Sequence, residues 1–487
     1  MIKRALILNF PKITPDAPPL APALLTAICQ RNNVDCDFID VNAEFYINLP
    51  KELQQELLNE FPINFTKELT ASAQQWIDNY FCNLKDKCQH YDLIAISVFS
   101  HHSVNFTKFF LDNHRHEFTA QVVVGGAGLN NLSWCVNHSS NTQPFYEYLY
   151  NAGLTDYWIL GEGEESFESL LQGIPDSGIN ARQYNFLEDF EKVPIPNYDH
   201  YNLDYYQQLN NGIKLIAVEG SRGCVKNCTF CDIKKIWGSY KFKNGQNLAN
   251  EIIKLLGKYQ ANHFWFNDSL INGSLKTFRD FISELSLMRQ HHTFTWSGQA
   301  IVRKKSNQDE QDFIMLKRSG CSTLAVGVES FSQRVRFHMT KKFTDEDLDN
   351  FLHLAQKYDI KLILLMIVGY PTETQEDFEI ALQQLERYQH LADDGTISGI
   401  QFGTTNVLIP DTPLDSMKTS LGVVYPIKSN QTDGSLWSVG QNTPVQRIKW
   451  RVEIGEHAQR LGYNCIDSSY NVERTMISFL NKYLAVQ

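Results

Sequence analysis

The chain has 487 residues, 43% of them hydrophobic and 20% charged, with a formal net charge of −11. That length exceeds what one ordinary core holds, and no segment supplies the roughly 20 uninterrupted apolar residues that a membrane span needs. The acidic balance disfavours a protein that grips long nucleic acid by neutralising phosphates, and ten cysteines read better as reduced thiols, some of them ligands, than as a disulfide framework.

The opening residues, Met1-Ile-Lys-Arg-Ala-Leu-Ile-Leu-Asn-Phe10, read as a first buried strand rather than a signal peptide, which implies a soluble, cytoplasmic protein. Short apolar runs then alternate with amphipathic ones. Strands are expected over 5–9, 36–41, 93–98, 122–124 and 157–160, with a helix over 20–30, and this alternation builds a parallel sheet covered by helices. Gly125-Gly126-Ala127-Gly128 and Gly161-Glu162-Gly163-Glu164 follow two of these strands, so the strand ends are turned by residues that permit close backbone approach, and a ligand would sit there.

The proline- and aromatic-rich stretch Lys192 to Asp199 breaks the pattern, giving a first domain over 1–192 and a linker over 193–210. A second series spans 211–413. Its strands are expected over 215–218, 263–266, 294–297, 324–328, 362–368 and 400–407, and its helices over 248–259, 275–288, 311–318, 345–358 and 376–387. Six strand-helix units fit a complete or partial barrel with chemistry at the C-terminal strand ends. Over 414–487 the pattern weakens into an α-rich extension with a long helix over 443–461.

The strand at 215–218 and the turn Gly220-Ser-Arg-Gly223 lead into Cys224-x-x-x-Cys228-x-x-Cys231. Three thiolates this close on a loop leaving a barrel strand can hold three corners of a cubane cluster and leave the fourth iron open to a chelating small molecule. Structural zinc fits less well, because it usually shows paired Cys-x-x-Cys or a Cys/His set with a fourth ligand. A pure electron carrier also fits less well, since carriers bind every iron with cysteine. Cys29, Cys36, Cys82, Cys88, Cys135, Cys321 and Cys465 are scattered, and Cys321, just before a strand, reads as an inert core thiol.

With the aromatic Phe230 before its last cysteine, this motif resembles the signature of the radical S-adenosylmethionine (SAM) superfamily. The resemblance implies a 4Fe-4S cluster on Cys224, Cys228 and Cys231, SAM as cofactor, and reductive cleavage of SAM to a 5'-deoxyadenosyl radical. It also implies an electron donor such as flavodoxin or ferredoxin and a small-molecule or peptide substrate, while the lack of a long apolar run argues against a membrane partner. Leu324-Ala-Val-Gly-Val-Glu-Ser330 resembles the family's ribose-contacting strand, which implies Glu329 and Ser330 near the SAM sugar or amino group. Met366-Ile-Val-Gly-Tyr-Pro-Thr-Glu373 resembles the adenine-contacting turn, with Gly369 at its centre. Asn267-Asp268 stands where the family usually has Gly-Gly-Glu, so Asp268 is the first substitute for the amine contact and Ser269 the next. Arg303, in Gly298-Gln-Ala-Ile-Val-Arg303, is a candidate partner for the SAM carboxylate. For each of these residues a purely structural strand-end role is the alternative, and no catalytic residue is assigned.

The first domain resembles the cobalamin-binding domain that precedes many radical SAM barrels, through Pro18-Pro-Leu-Ala-Pro22, Ile39-Asp40, Ser97-Val-Phe99, Gly125-Gly126 and Gly161-Glu-Gly-Glu164. The implied fold is α/β: a Rossmann-like cobalamin-binding-like domain, a partial (β/α)6 barrel of the TIM type and an α-rich extension. Where histidine-ligating modules carry Asp-x-His-x-x-Gly, this chain has Asn9-Phe-Pro-Lys-Ile-Thr14. Either cobalamin binds without a protein imidazole, or the domain is a scaffold. Tandem His101 and His102 read as solvated rather than ligating. With cobalamin the expected outcome is methyl transfer; without it, epimerisation, oxidation or rearrangement, with RNA modification a lesser option. Trp437, Asn442, Arg447 and Arg451 mark a tail that could close the barrel mouth and are given no catalytic role.

Overall fold

The computed structural model describes residues 2–11, 16–61, 68–130, 144–403, 405–425, 434 and 436–466. Cys135, Lys12 to Thr14 and the last 21 residues of the expected extension, 467–487, lie outside that description. The chain divides into two compact units, one of Met1–Val218 with Leu255–Ala261, the other of Glu219–Lys254 with Asn262–Gln487.

The first unit is built on five parallel strands: β1 (Arg4–Asn9), β2 (Asp35–Ile39), β3 (Leu93–Ser97), β4 (Gln121–Gly125) and β5 (Tyr157–Ile159), in the order β2-β1-β3-β4-β5. Helices on both faces bury the strands from either side, which is why they read as near-continuous apolar runs. Helix α1 (Leu20–Arg31) follows β1, and α2 (His101–His114) follows β3. The strand order reverses between β1 and β3, and at such a switch point the C-terminal strand ends bound a crevice. Polar side chains are buried there: Asn9, Asp40, Ser97 and His102. Asp40 Oδ1 caps the helix Val41–Asn48 by accepting from Ala43 N (3.1 Å) and takes the Asn9 amide (3.3 Å), while its other oxygen accepts from the Tyr206 hydroxyl. His102 is buried rather than solvated, because the capped start of α2 turns it inward. Gly126 (φ +111°) passes so close to the Val98 carbonyl that a Cβ would overlap it.

Residues 193–210, expected as a linker, pack on this unit. Tyr201 stacks on Phe38 with ring centroids 4.3 Å apart and donates to the Pro19 carbonyl (2.8 Å), and Asn210 Nδ2 donates to Asp16 O (2.9 Å).

The second sheet has six strands, β6 (Leu215–Val218), β7 (His263–Phe266), β8 (Thr295–Ala300), β9 (Cys321–Glu329), β10 (Lys361–Met366) and β11 (Ile397–Gln401), of which β7 to β11 pair parallel. Their spatial order, β11-β10-β9-β8-β7-β6, is their order in the chain, as a partial barrel of strand-helix repeats requires. The helices between them, including α3 (Gly245–Tyr259), α4 (Leu275–Met288), α5 (Glu310–Ser319), α6 (Asp345–Lys357) and α7 (Gln375–Arg387), match their apolar periodicity to within three residues. The last strand begins three residues before its expected start, since pairing of Leu362 with Ile397 sets the register; the continuous ladder ends at Gln401, and beyond it Thr405 makes an isolated parallel bridge to Val368. Helix α8 (Pro444–Arg460) completes the described tail. Among the described residues no helix is long and apolar enough to cross a membrane.

Candidate functional site: the cysteine loop and the strand ends around it

The loop leaving β6 is closed at its base by Ser221–Arg222 pairing antiparallel with Lys241–Phe242. Gly223 (φ +77°) turns the chain into the cysteines, at a point where a Cβ would press within 3.0 Å of the Ser239 carbonyl. Arg222 and Glu219 form a buried ion pair at 2.8 Å, with the guanidinium 5.0 Å from the Trp237 ring centroid. Within the loop, Cys231 N donates to Cys228 O (3.2 Å) and Lys226 N to Cys224 Sγ (3.4 Å).

All three cysteines are half-buried and free of disulfides. Burial pushes the Cys231 thiol up to about 11, with the other two cysteines adding to the shift. Burial also raises Cys228, while Lys341 opposes the rise. Thiols in this state must lose protons to bind metal, and a cationic surround makes that loss easier. Among the described residues no three His, Cys, Asp or Glu side chains could hold a single metal ion. A cubane differs in that each thiolate takes its own iron, so the donor set, three free thiols on one short loop with Lys226 and Lys341 beside them, fits a cluster rather than a lone cation.

Glu329 ends β9 with φ +67°, and its Oε1 accepts from Lys341 Nζ at 2.8 Å. Burial works against the Lys341 charge, but Glu329 and the thiols of Cys228 and Cys231 more than offset it and hold its pKa above the ordinary value. Thr340 (φ +62°) and Lys342 (φ +53°) share the left-handed conformation. Non-glycine residues held in that region cost of order 1–3 kcal/mol each and gather at functional sites. Lys341 carries no motif of its own; only the return of the loop after the helix Gln333–His338 brings it to Glu329 and the cysteines.

The other expected residues fall in three places. Asp268 is buried, and its oxygens accept from Gly220 N (2.9 Å) and Ser221 Oγ (2.6 Å), so the carboxyl braces the turn before the cysteines. Burial raises it to about 7. Ser269 lies half-buried beside it. Arg303 donates through Nη2 to the carbonyls of Asn272 and Gly273, with burial depressing its pKa, and its charge together with burial depresses that of Lys226. Ser330 is buried, its hydroxyl accepting from Ser332 N (3.2 Å). Gly369 (φ +80°) donates with Tyr370 to Glu373 Oε2, and Glu373, raised to about 7 by burial, anchors that turn. The structure therefore groups Glu329, Lys341, Lys226 and Arg303 electrostatically around the cysteine loop, whereas Asp268 and Ser330 are engaged locally.

Residues 218–385 match the family model described as the radical SAM superfamily. An uncharacterised methyltransferase of Pyrococcus horikoshii is 24% identical over 245 residues, which are 47% of this chain and 52% of that protein, so the match spans about half of that relative. The cytidylyl-2-hydroxyethylphosphonate methyltransferase of Streptomyces wedmorensis is 21% identical over 424 residues, covering 80% of this chain and 76% of its own. The structure of the radical SAM methyltransferase TsrM from Kitasatospora setae, with cobalamin and a [4Fe-4S] cluster bound, superposes with a TM-score of 0.60 at 16% identity over 85% of this chain and 77% of that one. At that identity the likeness is one of fold, and it is the fold class expected from the alternating elements.

Proposed function

From the radical SAM domain that residues 218–385 form, we propose that this chain is an enzyme that cleaves SAM reductively, with a 4Fe-4S cluster on Cys224, Cys228 and Cys231. The observation that carries the proposal is the cysteine loop itself, three free, half-buried thiols, two of which, Cys228 and Cys231, lie close enough to Lys341 to act on its charge. When bound, the cluster supplies the electron that breaks the SAM carbon-sulfur bond and releases the 5'-deoxyadenosyl radical.

The protein's part is to bind and orient. Burial and the Arg303 charge both disfavour the Lys226 ammonium, and an anionic group bound beside them, such as the SAM carboxylate, would relieve that repulsion. Glu329 offers a carboxylate oxygen toward the sugar or amino group while Lys341 holds its side chain still. The turn at Gly369, pinned by Glu373, presents backbone to the adenine. Asp268 keeps acceptor capacity beyond the bonds from Gly220 and Ser221, and with Ser269 it is the candidate for the amine contact.

For the first unit we favour cobalamin and methyl transfer. The switch point in the strand order and the polar residues buried at the strand ends support that reading, as do relatives named methyltransferases. The alternative is a scaffold domain and a radical epimerisation, oxidation or rearrangement. The substrate is a small molecule or peptide, and a flavodoxin or ferredoxin supplies the electron. Anaerobically reconstituted protein incubated with dithionite and SAM should yield 5'-deoxyadenosine and methionine; absence of both products overturns the enzyme reading. Retention of about one equivalent of hydroxocobalamin, read from its visible band, separates the two branches.

A further inference from the structure

We infer that Tyr370 is a positioning residue through which the C-terminal segment holds the cysteine loop in place, an inference that rests on the proposed role of that loop. Tyr370 is fully buried, and its hydroxyl joins Thr229 Oγ1 (2.7 Å) to His338 Nδ1 (3.0 Å). Thr229 stands between Cys228 and Phe230, so this hydroxyl ties the cysteine loop to the turn after β10. The Thr229 backbone is held as well, its N–H donating to Met339 O (3.1 Å) and its carbonyl accepting from Leu414 N (2.8 Å). Beneath the loop, Phe230 packs on a small apolar core that contains Tyr370, Leu414 and Trp437.

The turn that carries Tyr370 is gripped in its turn by the tail. Asn442 Nδ2 donates to the Tyr370 carbonyl at 2.9 Å. Arg447 Nη1 donates to Asn442 Oδ1 (3.2 Å) and O (3.1 Å), and its Nη2 to Trp437 O (2.9 Å). The Arg447 guanidinium lies 3.7 Å from the centre of the Trp437 ring, and its stem fills the space a side chain at Gly369 would need. Trp437, Arg447 and Asn442 are all buried, so each contact has one arrangement rather than many. Contact by contact, the path runs from Trp437 through Arg447 and Asn442 to Tyr370, and from its hydroxyl to Thr229, the covalent neighbour of Cys228.

Ligands that must meet a rigid cluster need support held to a fraction of an ångström, and a short loop does not provide it alone. The tail residues thus act as the back wall of the cysteine loop, setting where its thiols stand.

The test is hydrogen exchange read by mass spectrometry on the full chain, with and without reconstituted cluster, for Tyr370→Phe, Thr229→Val, their double variant and Asn442→Ala. Loss of the hydroxyl bond should speed exchange of amides 226–231 about fivefold in each of the first two variants. The double variant should add little beyond either single change, while amides of α6 keep their wild-type rates. Asn442→Ala should also speed the loop amides. In turnover, Tyr370→Phe should raise KM for SAM more than it lowers kcat. Unchanged loop exchange in Tyr370→Phe and Thr229→Val, or effects that simply multiply in the double variant, overturns the inference; unchanged loop exchange in Asn442→Ala overturns the part assigned to the tail. Because exchange is measured on protein without cluster as well, failure of the wild type to assemble one would count against the proposed function while leaving this inference decided by the loop amides.

Discussion

Lys341 Nζ lies 2.8 Å from Glu329 Oε1 and 3.0 Å from the Gly327 carbonyl, inside the end of the strand that carries Glu329. Both side chains are nearly buried, at 8% and 13% exposed, so neither charge is comfortable without the other. Replacing Lys341 with methionine should therefore destabilise the protein by about 3–5 kcal/mol, the usual cost of leaving one partner of a buried pair. Adding Glu329→Gln to Lys341→Met should recover much of that loss, measured by urea unfolding. A double variant no more stable than the single one would mean the pair is not coupled.

Glu373 is raised from 4.5 to about 7, by burial above all. Between those values the folded protein binds more protons than the unfolded chain, so this group lowers stability as pH rises through the window from about 4.5 to 7. Glutamine can accept the same backbone bonds from Gly369 and Tyr370 without a charge. Glu373→Gln should accordingly gain stability relative to wild type at pH 8 and show little gain at pH 4.5, by denaturant titration at the two values.

Gly369→Ala should cost more than about 2 kcal/mol. The residue holds φ +80°, where alanine is strained, and its Cβ would overlap the Arg447 stem that the tail packs there. Thermal unfolding should show the loss, and Gly395→Ala, at a similar φ of +79° but with open space around it, should lose only the conformational part.

Alanine at Cys224, Cys228 and Cys231 together should remove bound iron and end 5'-deoxyadenosine formation, whereas Cys321→Ala should keep both. Cys321 is buried and pushed far up by its apolar surroundings, as an inert core thiol would be. Iron analysis and product assay on the two proteins give the answer.

Most of the architecture is legible in the amino-acid sequence. Helix α4 falls on its periodic stretch residue for residue, and β6 and β7 do the same. The cysteine loop was readable because its three ligands are neighbours in the chain. Less was visible where a residue's role depends on what another segment brings to it. Asp268, a candidate amine contact with a structural role as its alternative, is seen only in the fold to accept from Gly220 N and Ser221 Oγ. Residues 193–210, with the composition of a linker, are held by Tyr201 and Asn210 against the first unit.

By itself the amino-acid sequence determined the parallel α/β elements and the thiol trio, because hydrophobic period and ligand spacing are properties of nearby residues. Tertiary structure alone decided that Lys341 meets Glu329, that Tyr370 ties the turn after β10 to Thr229, and that Arg447 fills the space above Gly369. Those partners are 12, 141 and 78 positions apart, and pairs so distant are chosen by how strands and tail close around a shared core rather than by any local pattern.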